Sequence, residues 1–362
     1  MGRTYAIRES GGFWGFISFL TSSAIVLAAI ALVAIFAFIA EVNRPGPSGQ
    51  GLNINIDHGS SVTAIGQALE RRGQIRNTLV FRIAAQWGYA RGRGLQAGEY
   101  QIAPHASVRQ IVQMMADGRA VQHAVTIPEG LTTRAVMEVI AASTVLEGPM
   151  PEAPAEGAIL PETYQVTRGM TREALVAQMR QARDGVLANA WAHRADNLPI
   201  STPEEAMILA SIVERETGVD GERPRVAAVF INRLRRHMAL QSDPTIIYGV
   251  CKRYPARCKN GRLVDEHTGQ PRVIRQSEID MDTGYNTYRI SGLPPTPIAN
   301  PGRAAIEAVL NPAQTDDLYF VADGTGGHVF AATVEEHNAN VARWRLIERQ
   351  RLAQEAANRR RR

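Results

Sequence analysis

Glu216 is the residue whose position best suits acid–base chemistry. It lies near the end of a predicted helix that begins after Thr202 and stops at Gly218. Thr202 is a good N-cap, Pro203 suits the first helical position, and Glu205 completes a capping box. The glycine is a natural helix stop. Because these signals agree, the phase of the helix is well defined.

An apolar stripe runs along one face of this helix when residues are placed at about 100° intervals. Its members are Ile208, Leu209, Ile212 and Val213. Glu216 falls in the middle of the stripe, so we expect its side chain to point into the protein. Glu214 falls on roughly the opposite face, where we expect it to meet solvent or a partner residue next to the site.

A carboxylate held against apolar walls is poorly hydrated when it ionises. Its pKa therefore rises, and it becomes a candidate general acid near neutral pH. The helix alone leaves a second interpretation open. Glu216 would then be a last-turn residue that leaves the core and pairs with an arginine such as Arg215 or Arg223.

A series of short motifs in fixed order surrounds and follows this helix. They lie at 127–130, 160–164, 212–217, 229–234, 240–249, 285–288, 292–302, 319–324, 326–330 and 336–338. Among them are Ile-Val-Glu-Arg-Glu-Thr at 212–217 and Leu-Gln-Ser-Asp-Pro-Thr at 240–245. Together they closely resemble the endolytic murein transglycosylase family, also called YceG-like, over roughly residues 50 to 345.

The resemblance implies a membrane-anchored enzyme that cleaves peptidoglycan glycan strands and uses neither a cofactor nor a metal ion. The second glutamate of the Glu-x-Glu-Thr pattern, Glu216, would be the single catalytic residue. As an acid it would protonate the glycosidic oxygen between N-acetylmuramic acid and N-acetylglucosamine. Its carboxylate would then take the proton of the muramoyl 6-hydroxyl, which attacks C1 and leaves a 1,6-anhydro end.

Six further residues are candidates for contact with the sugars. They are Glu162, Gln241, Asp243, Tyr285, Asn286 and Tyr288. Gln241, Tyr285, Asn286 and Tyr288 have an alternative role in a turn or in packing. Asp243 precedes a proline, where aspartate is common in turns, and Glu162 could instead cap a helix. His328 and His337 lack the helical spacing of a metal pair and are expected to be structural or to contact substrate.

Two other functions stay open at this point. A hydrolytic muramidase would use a second carboxylate at about 5 to 9.5 Å, for which Asp243 is the candidate. A non-catalytic peptidoglycan-binding anchor would need no acid, and Glu216 on an apolar face argues against it. Among protein partners, we expect only that the enzyme lies near the peptidoglycan synthesis machinery.

The N-terminus predicts a membrane segment, since no charged residue occurs from Ser10 to Ala40. About 20 apolar residues span a bilayer core. A cleaved signal peptide is the alternative, but it would have a shorter apolar region and a small-residue cleavage site. Arg3 and Arg8 precede the segment, so the N-terminus is expected in the cytoplasm and the rest in the periplasm. The protein would be a single-pass protein of the cell inner membrane.

Charge and cysteine content add two constraints. The net charge of +5 includes four arginines at 359–362, so the remaining chain is close to neutral at +1. Without a basic stripe on any predicted element, nucleic acid is not an expected partner. Cys251 and Cys258 are too few for a tetrahedral zinc site. We expect them to form a small disulfide, with unpaired thiols as the alternative.

Alternating strand and capped-helix signals predict an α+β fold in several parts. A cytoplasmic tail would cover 1–12, a transmembrane helix 13–40 and a polar linker 41–51. By the resemblance, a small LysM-like α+β subdomain would follow at 52–126 and a YceG-like α+β catalytic domain at 127–345. A polar, basic tail would end the chain at 346–362.

Overall fold

The structure, a computed structural model, describes residues 11–361 except 88, 91, 220 and 260. It contains helices and strands throughout, as the α+β prediction requires, and the described residues form two compact units. The first runs up to His123 and includes Thr167–Gly169, and the second covers Ala124–Val166 and the chain from Met170 onward. Arg3, Arg8 and most of the predicted cytoplasmic tail lie outside the described residues.

The N-terminal helix α1 (Gly11–Asn43) contains a stretch, Phe16–Asn43, that is long and apolar enough to cross a membrane. It extends past the predicted end at residue 40, because Val42 is buried in the core of the first unit with Phe38 packed beside it. The predicted linker is also held in place. The Gly46 N–H donates to the His105 carbonyl, and the His105 N–H donates to the carbonyl of Ser48.

The first unit is built on an antiparallel pair of strands covered by short helices. Strand β1 (Leu52–Ile56) pairs with β2 (Gly98–Ile102), and α2 (Val62–Arg71), α3 (Thr78–Gln86) and α4 (Val108–Ala116) complete the unit. Side-chain oxygens of Ser61, Asn77 and Ser107 cap these helices, which satisfies their free N–H groups. The fully buried side chains include Tyr100 and Phe81.

The second unit begins with small strand and helix units. Strand β3 (Gln122–Thr126) forms a two-stranded sheet with β4 (Thr163–Thr167). Helix α5 (Thr133–Ala142) lies between them in sequence, and the long helix α6 (Arg172–Ala192) follows. Thr132 and Thr171 cap these two helices by accepting N–H groups three residues later.

Helix α7 (Pro203–Glu216) is the centre of the second unit. Helices α8 (Arg223–Arg235), α9 (Asp243–Arg253) and α11 (Arg303–Leu310) pack against it, and every residue from Ala206 to Glu214 is buried. The predicted start at Thr202 is confirmed, since its hydroxyl accepts the Glu205 N–H. The face of α7 that carries Glu214 is therefore covered by other parts of the fold.

The unit ends with a hairpin and a long helix. Strands β7 (Tyr319–Ala322) and β8 (His328–Ala331) pair antiparallel around a glycine-rich turn and form a hairpin. Helix α12 (Val334–Arg361) then takes in most of the predicted basic tail. Before the hairpin, the polar segment after α9 carries strands β5 (Cys258–Lys259) and β6 (Arg262–Leu263) and the short helix α10 (Gln276–Ile279).

Cys251 and Cys258 form a disulfide between the end of α9 and β5, with their Cα atoms 5.5 Å apart. The bridge closes a loop of seven residues in sequence separation. In the chain-entropy description, so short a loop places the stabilisation near the low end of about 2–4 kcal/mol.

We therefore predict that the Cys251→Ser/Cys258→Ser variant has a free energy of unfolding about 2 kcal/mol lower than the oxidised protein. Urea denaturation followed by circular dichroism measures the difference. The unreduced native protein should also resist thiol alkylation until it is reduced. Labelling of both cysteines without reductant would contradict the bridge.

Candidate active site

The carboxylate of Glu216 is held in one orientation by a hydrogen bond from the next helix along the chain. The Ser242 hydroxyl, at the N-cap of α9, donates to Oε1 of Glu216 over 2.5 Å. Ser242 is itself buried, and its backbone N–H donates to the hydroxyl of Thr287 over 2.9 Å. The end of α7 and the start of α9 are thus joined through the carboxylate, which cannot rotate freely.

Glu216 faces a cleft of about 270 Å³ in the second unit. The cleft is lined by Glu216, Arg233, Leu240, Gln241, Asp243, Tyr288, Phe320 and His337. Four of these residues are among the site residues predicted from the sequence: Glu216, Gln241, Asp243 and Tyr288. Their side chains come from α7, from the start of α9 and its preceding loop, and from the segment after α10.

The electrostatic surroundings raise the pKa of Glu216 to about 7. Burial is the main cause, and the negative charge of Asp243 adds to it. The hydrogen bond from Ser242 and the positive charges of Arg215 and Arg233 act in the opposite direction. The acid and carboxylate forms are therefore both populated near neutral pH, which a group that first donates and then accepts a proton requires.

Asp243 lies in the same cleft but is already engaged. The Tyr288 hydroxyl donates to its Oδ1 over 2.7 Å. Burial, together with this bond to a carboxylate, raises the pKa of Tyr288, so its hydroxyl stays protonated. The pair therefore presents a fixed negative charge beside Glu216 and an aromatic ring that is 36% exposed.

Arg233 organises the loop that carries Gln241, although the sequence singled it out only as part of a motif. Its Nη1 donates to the carbonyls of Ala239 and Leu240 and to Oε1 of Gln241, over 3.0 to 3.1 Å. Its Nε donates to the carbonyl of Leu318 over 2.7 Å. The guanidinium thus fixes backbone on both sides of the cleft while its charge favours the ionised form of Glu216.

His337 is a second cleft residue whose place the sequence left open. Its ring stacks on Tyr319 with the centroids 5.0 Å apart. Burial, with the nearby charge of Arg233, lowers the pKa of His337, so the ring is neutral at physiological pH. Within the described part of the chain, no cluster of three or more His, Cys, Asp or Glu side chains could hold a metal ion.

Three of the predicted sugar-contacting residues lie outside the cleft. Asn286 is fully buried and donates to the carbonyls of Ile279 and Met281. Tyr285 is buried in the core around α7, where its hydroxyl accepts a hydrogen bond from Lys252. Glu162 pairs with Arg303 at 3.5 Å. For Asn286 and Tyr285 these are the contacts of packing and turn residues, the alternative that the sequence left open for both.

Glu214 does not meet solvent, because α7 is enclosed by other helices. Its Oε1 accepts from Arg223 over 3.3 Å, and its Oε2 accepts the Gly302 N–H over 3.0 Å. The same arginine donates to Glu129 over 3.4 Å. Of the two alternatives for Glu214, the partner residue is therefore correct and the solvent-facing position is wrong. The pairing of Glu216 with Arg223 is wrong as well, since Arg223 bonds Glu214.

Comparison with known proteins is consistent with this site. The YceG-like family model matches residues 54–343, well over half of the chain, and the chain belongs to that family. An endolytic murein transglycosylase of Bacillus subtilis (strain 168) is 29% identical over 322 residues, covering 79% of this chain and 83% of the relative. One from Streptococcus pneumoniae (strain D39) is also 29% identical, over 337 residues, or 80% of this chain and 58% of that protein.

A YceG-like protein of Listeria monocytogenes, with a crystal structure at 2.6 Å, is 27% identical in sequence. The match covers 81% of this chain and 99% of that one, with a TM-score of 0.45.

The Ser242 bond yields a direct test of the electrostatics. Because it favours the carboxylate form, Ser242→Ala should raise the pKa of Glu216 further above 7. The pKa is measured by ¹³C NMR titration of the side-chain carboxyl, assigned by its absence in Glu216→Gln. Ser211→Ala is the matched control, since this buried hydroxyl bonds the Ile208 carbonyl instead. A pKa that stays the same or falls in Ser242→Ala would contradict the assignment.

Proposed function

We propose that this protein is a membrane-anchored, endolytic peptidoglycan lytic transglycosylase. It would cleave the bond between N-acetylmuramic acid and N-acetylglucosamine in nascent glycan strands and leave a 1,6-anhydromuramoyl end. The observation that carries the proposal is Glu216 itself, a carboxyl group with a pKa of about 7, oriented by Ser242 in an open cleft. The names of the curated relatives support the choice of substrate.

One carboxyl group is sufficient for both halves of the reaction. In its acid form Glu216 protonates the glycosidic oxygen, and the bond to C1 of the muramoyl residue breaks. The carboxylate that results then takes the proton of the 6-hydroxyl as that oxygen attacks C1. The proton balance closes without water, and Glu216 returns to its acid form. Asp243 assists by its charge, which holds the pKa of Glu216 up, and Tyr288 offers a ring to the sugar.

Hydrolysis by a muramidase is the second candidate, because Asp243 does lie in the same cleft as Glu216. A hydrolase would use that carboxylate as a nucleophile or as the base for water. The bond from the Tyr288 hydroxyl occupies one of its oxygens, which favours the electrostatic role.

The arrangement on the membrane is part of the same proposal. Helix α1 would be an uncleaved anchor in the cell inner membrane, with the N-terminus in the cytoplasm. The LysM-like subdomain at 52–126 would grip glycan, and the catalytic domain at 127–345 would act in the periplasm. Cleavage of nascent strands would end their elongation, so the enzyme would work near the peptidoglycan synthesis machinery. The apolar side chains of α1 support the anchor, since most of those between Phe16 and Ile39 are exposed to the surroundings.

We predict that Glu216→Gln loses cleavage by at least about 10⁴-fold, because the amide cannot protonate the leaving oxygen and no second acid replaces it. The substitution keeps the side-chain volume, so glycan binding and the folded state should persist. In the wild type, cleavage requires the acid form, so the rate should fall as the pH rises through about 7. Release of soluble fragments from purified peptidoglycan gives the rates, and circular dichroism checks the fold.

Turnover close to that of the wild type in Glu216→Gln would end the proposal. Glu205→Gln is the matched control, since this carboxylate belongs to the same helix but caps its first turn. Mass spectrometry of the fragments identifies the reaction, because an anhydro end lacks the one water that hydrolysis adds.

Asp243→Asn separates the two candidate reactions. For a lytic transglycosylase we expect activity within about tenfold of the wild type. Removing the negative charge should also lower the pKa of Glu216 and move the fall in rate to lower pH. Asparagine still accepts the Tyr288 hydroxyl, so the loop should hold its shape. Loss of activity as complete as in Glu216→Gln, together with products that carry reducing ends, would identify a muramidase instead.

A further inference from the structure

A cavity larger than the cleft of Glu216 lies elsewhere in the second unit. It has a volume of about 850 Å³ and none of the residues that line the cleft. Its walls come from α5, from the loop 153–158, from the first half of α7, from the last turn of α9 and from residues 295–297. We call it the Lys252 pocket, after a cation that lines it.

A fixed carboxylate lies on one side of the pocket. Oε1 of Glu156 accepts three hydrogen bonds, from the Thr133 N–H at 2.6 Å, the Thr133 hydroxyl at 3.0 Å and the Asn300 amide at 3.2 Å. Oε2 accepts one bond, from the Tyr248 hydroxyl at 3.3 Å. Burial raises the pKa of Glu156, while the hydrogen bonds from Thr133 and Tyr248 and the charge of Lys252 act in the opposite direction. Oε2, with one long bond, has acceptor capacity left for a ligand.

A cation lies beside that carboxylate. The ammonium of Lys252 donates to the Tyr285 hydroxyl over 2.6 Å and lies 4.6 Å from the centre of that ring. It is 5.9 Å from the centre of the Tyr248 ring, whose hydroxyl bonds Glu156. Among the described residues this is the one hydrogen bond that the Lys252 ammonium makes. An ammonium has three N–H donors, so two are available to a ligand.

Part of the remaining wall is apolar, and the charged residues Arg134, Glu138, Arg183 and Glu204 also line the pocket. Arg134 pairs with Glu138 and Arg183 with Asp184. Met137 and Ala141 of α5 form the apolar part together with Met207 and Ile208 of α7, and Pro297 closes the end. An ammonium and a carboxylate next to an apolar wall are complementary to a molecule with one charge of each sign and small apolar groups between or beside them. Short peptides with a free amino group and a free carboxylate have this chemistry, and a neutral sugar does not.

Two helices connect the pocket with the cleft. Asp243, at the start of α9, lines the cleft, and Lys252, nine residues later, lines the pocket. On α7, Ile208 lines the pocket and Glu216 the cleft. At 1.5 Å per residue these separations are about 14 Å and about 12 Å along the helices. An extended peptide of four or five residues spans about 13 to 18 Å, so one attached to a sugar in the cleft reaches the pocket.

We propose that the Lys252 pocket binds the zwitterionic end of the stem peptide carried by the glycan strand that is being cut. The ligand's amino group bonds Glu156, its carboxylate bonds Lys252, and its methyl groups pack on the apolar wall. This inference rests on the proposed function for its substrate. It adds that the enzyme distinguishes strands with intact peptides from bare glycan.

The first test compares two substrates, peptide-bearing strands and the same strands stripped of peptide by an amidase. Wild-type full-length protein should show a higher kcat/KM on the peptide-bearing strands. In Lys252→Met this preference should fall at least about tenfold, the effect of losing a charge-assisted hydrogen bond, while cleavage of stripped strands stays unchanged. Arg253→Met is the matched control. It removes a cation from the next position of α9, where the side chain bonds the Asp282 carbonyl, and should keep the preference.

The second test does not depend on cleavage. A free tetrapeptide that is acetylated at its N-terminus, where the strand would carry the sugar, and that has a side-chain amino group beside a free carboxylate should bind the Glu216→Gln chain in calorimetry. Lys252→Met in that background should abolish binding. The same peptide with its side-chain amino group acetylated and its carboxylate amidated should not bind. If the free peptide fails to bind, or binds equally well to Lys252→Met, the pocket assignment is overturned even if Glu216 is catalytic. Binding without any glycan cleavage by the wild type would overturn the proposed function and leave the pocket in place.

If Lys252→Met loses cleavage of both substrates, the pocket is tested by competition between free peptide and substrate in the wild-type protein. Free peptide should then inhibit cleavage of peptide-bearing strands and spare stripped ones. Equal inhibition, or none, counts against the pocket.

Discussion

The structure depends on burying a carboxyl group at the end of a helix that is itself buried. A rise in the pKa of Glu216 from 4.5 to about 7 means that ionisation costs about 3 kcal/mol more than in water. That penalty has to be offset by the packing of α7 against α8, α9 and α11, whose apolar side chains form the main core of the second unit. The burial that makes ionisation of Glu216 unfavourable also keeps the group partly protonated at neutral pH. The requirements of stability and of catalysis are therefore opposed at this residue.

Two glutamates of α7 show that burial alone does not decide function. Burial raises the pKa of Glu214 as it does that of Glu216. Glu214, however, is buried and accepts a backbone N–H from Gly302 and a bond from Arg223. Glu216 has one hydroxyl donor and a cleft in front of it. The first carboxylate connects segments of the fold, whereas the second is free to exchange a proton with a ligand.

The local signals in the sequence predicted α7 and its N-cap well, because N-cap, proline and apolar spacing act within one turn of the chain. The predicted capping box is wrong in its partner, since Glu205 accepts the N–H of Ser201 and not that of Thr202. The local signals also located Glu216, since its neighbours at three and four residues lie on the same face. Glu214 was harder, because a helical wheel assumes a single packed face and α7 has several. Asn286 and Tyr285 belong to a family motif, yet their partners lie in segments that only the tertiary fold brings near. Arg233 and His337 reach the cleft from distant helices, which no local pattern could reveal.

The loop before α9 shows how precision is obtained at the cleft. Gln241 has φ of +53°, a left-handed conformation that is unfavourable for a residue with a side chain. Because of this turn, three consecutive residues have different roles: Gln241 lines the cleft, Ser242 bonds Glu216, and Asp243 starts the helix. Strain of this kind, about 1–3 kcal/mol, persists only where surrounding contacts fix the backbone. Arg233 supplies them through the carbonyls of Ala239 and Leu240. A buried guanidinium is therefore what allows a strained loop to hold the hydroxyl that orients the acid.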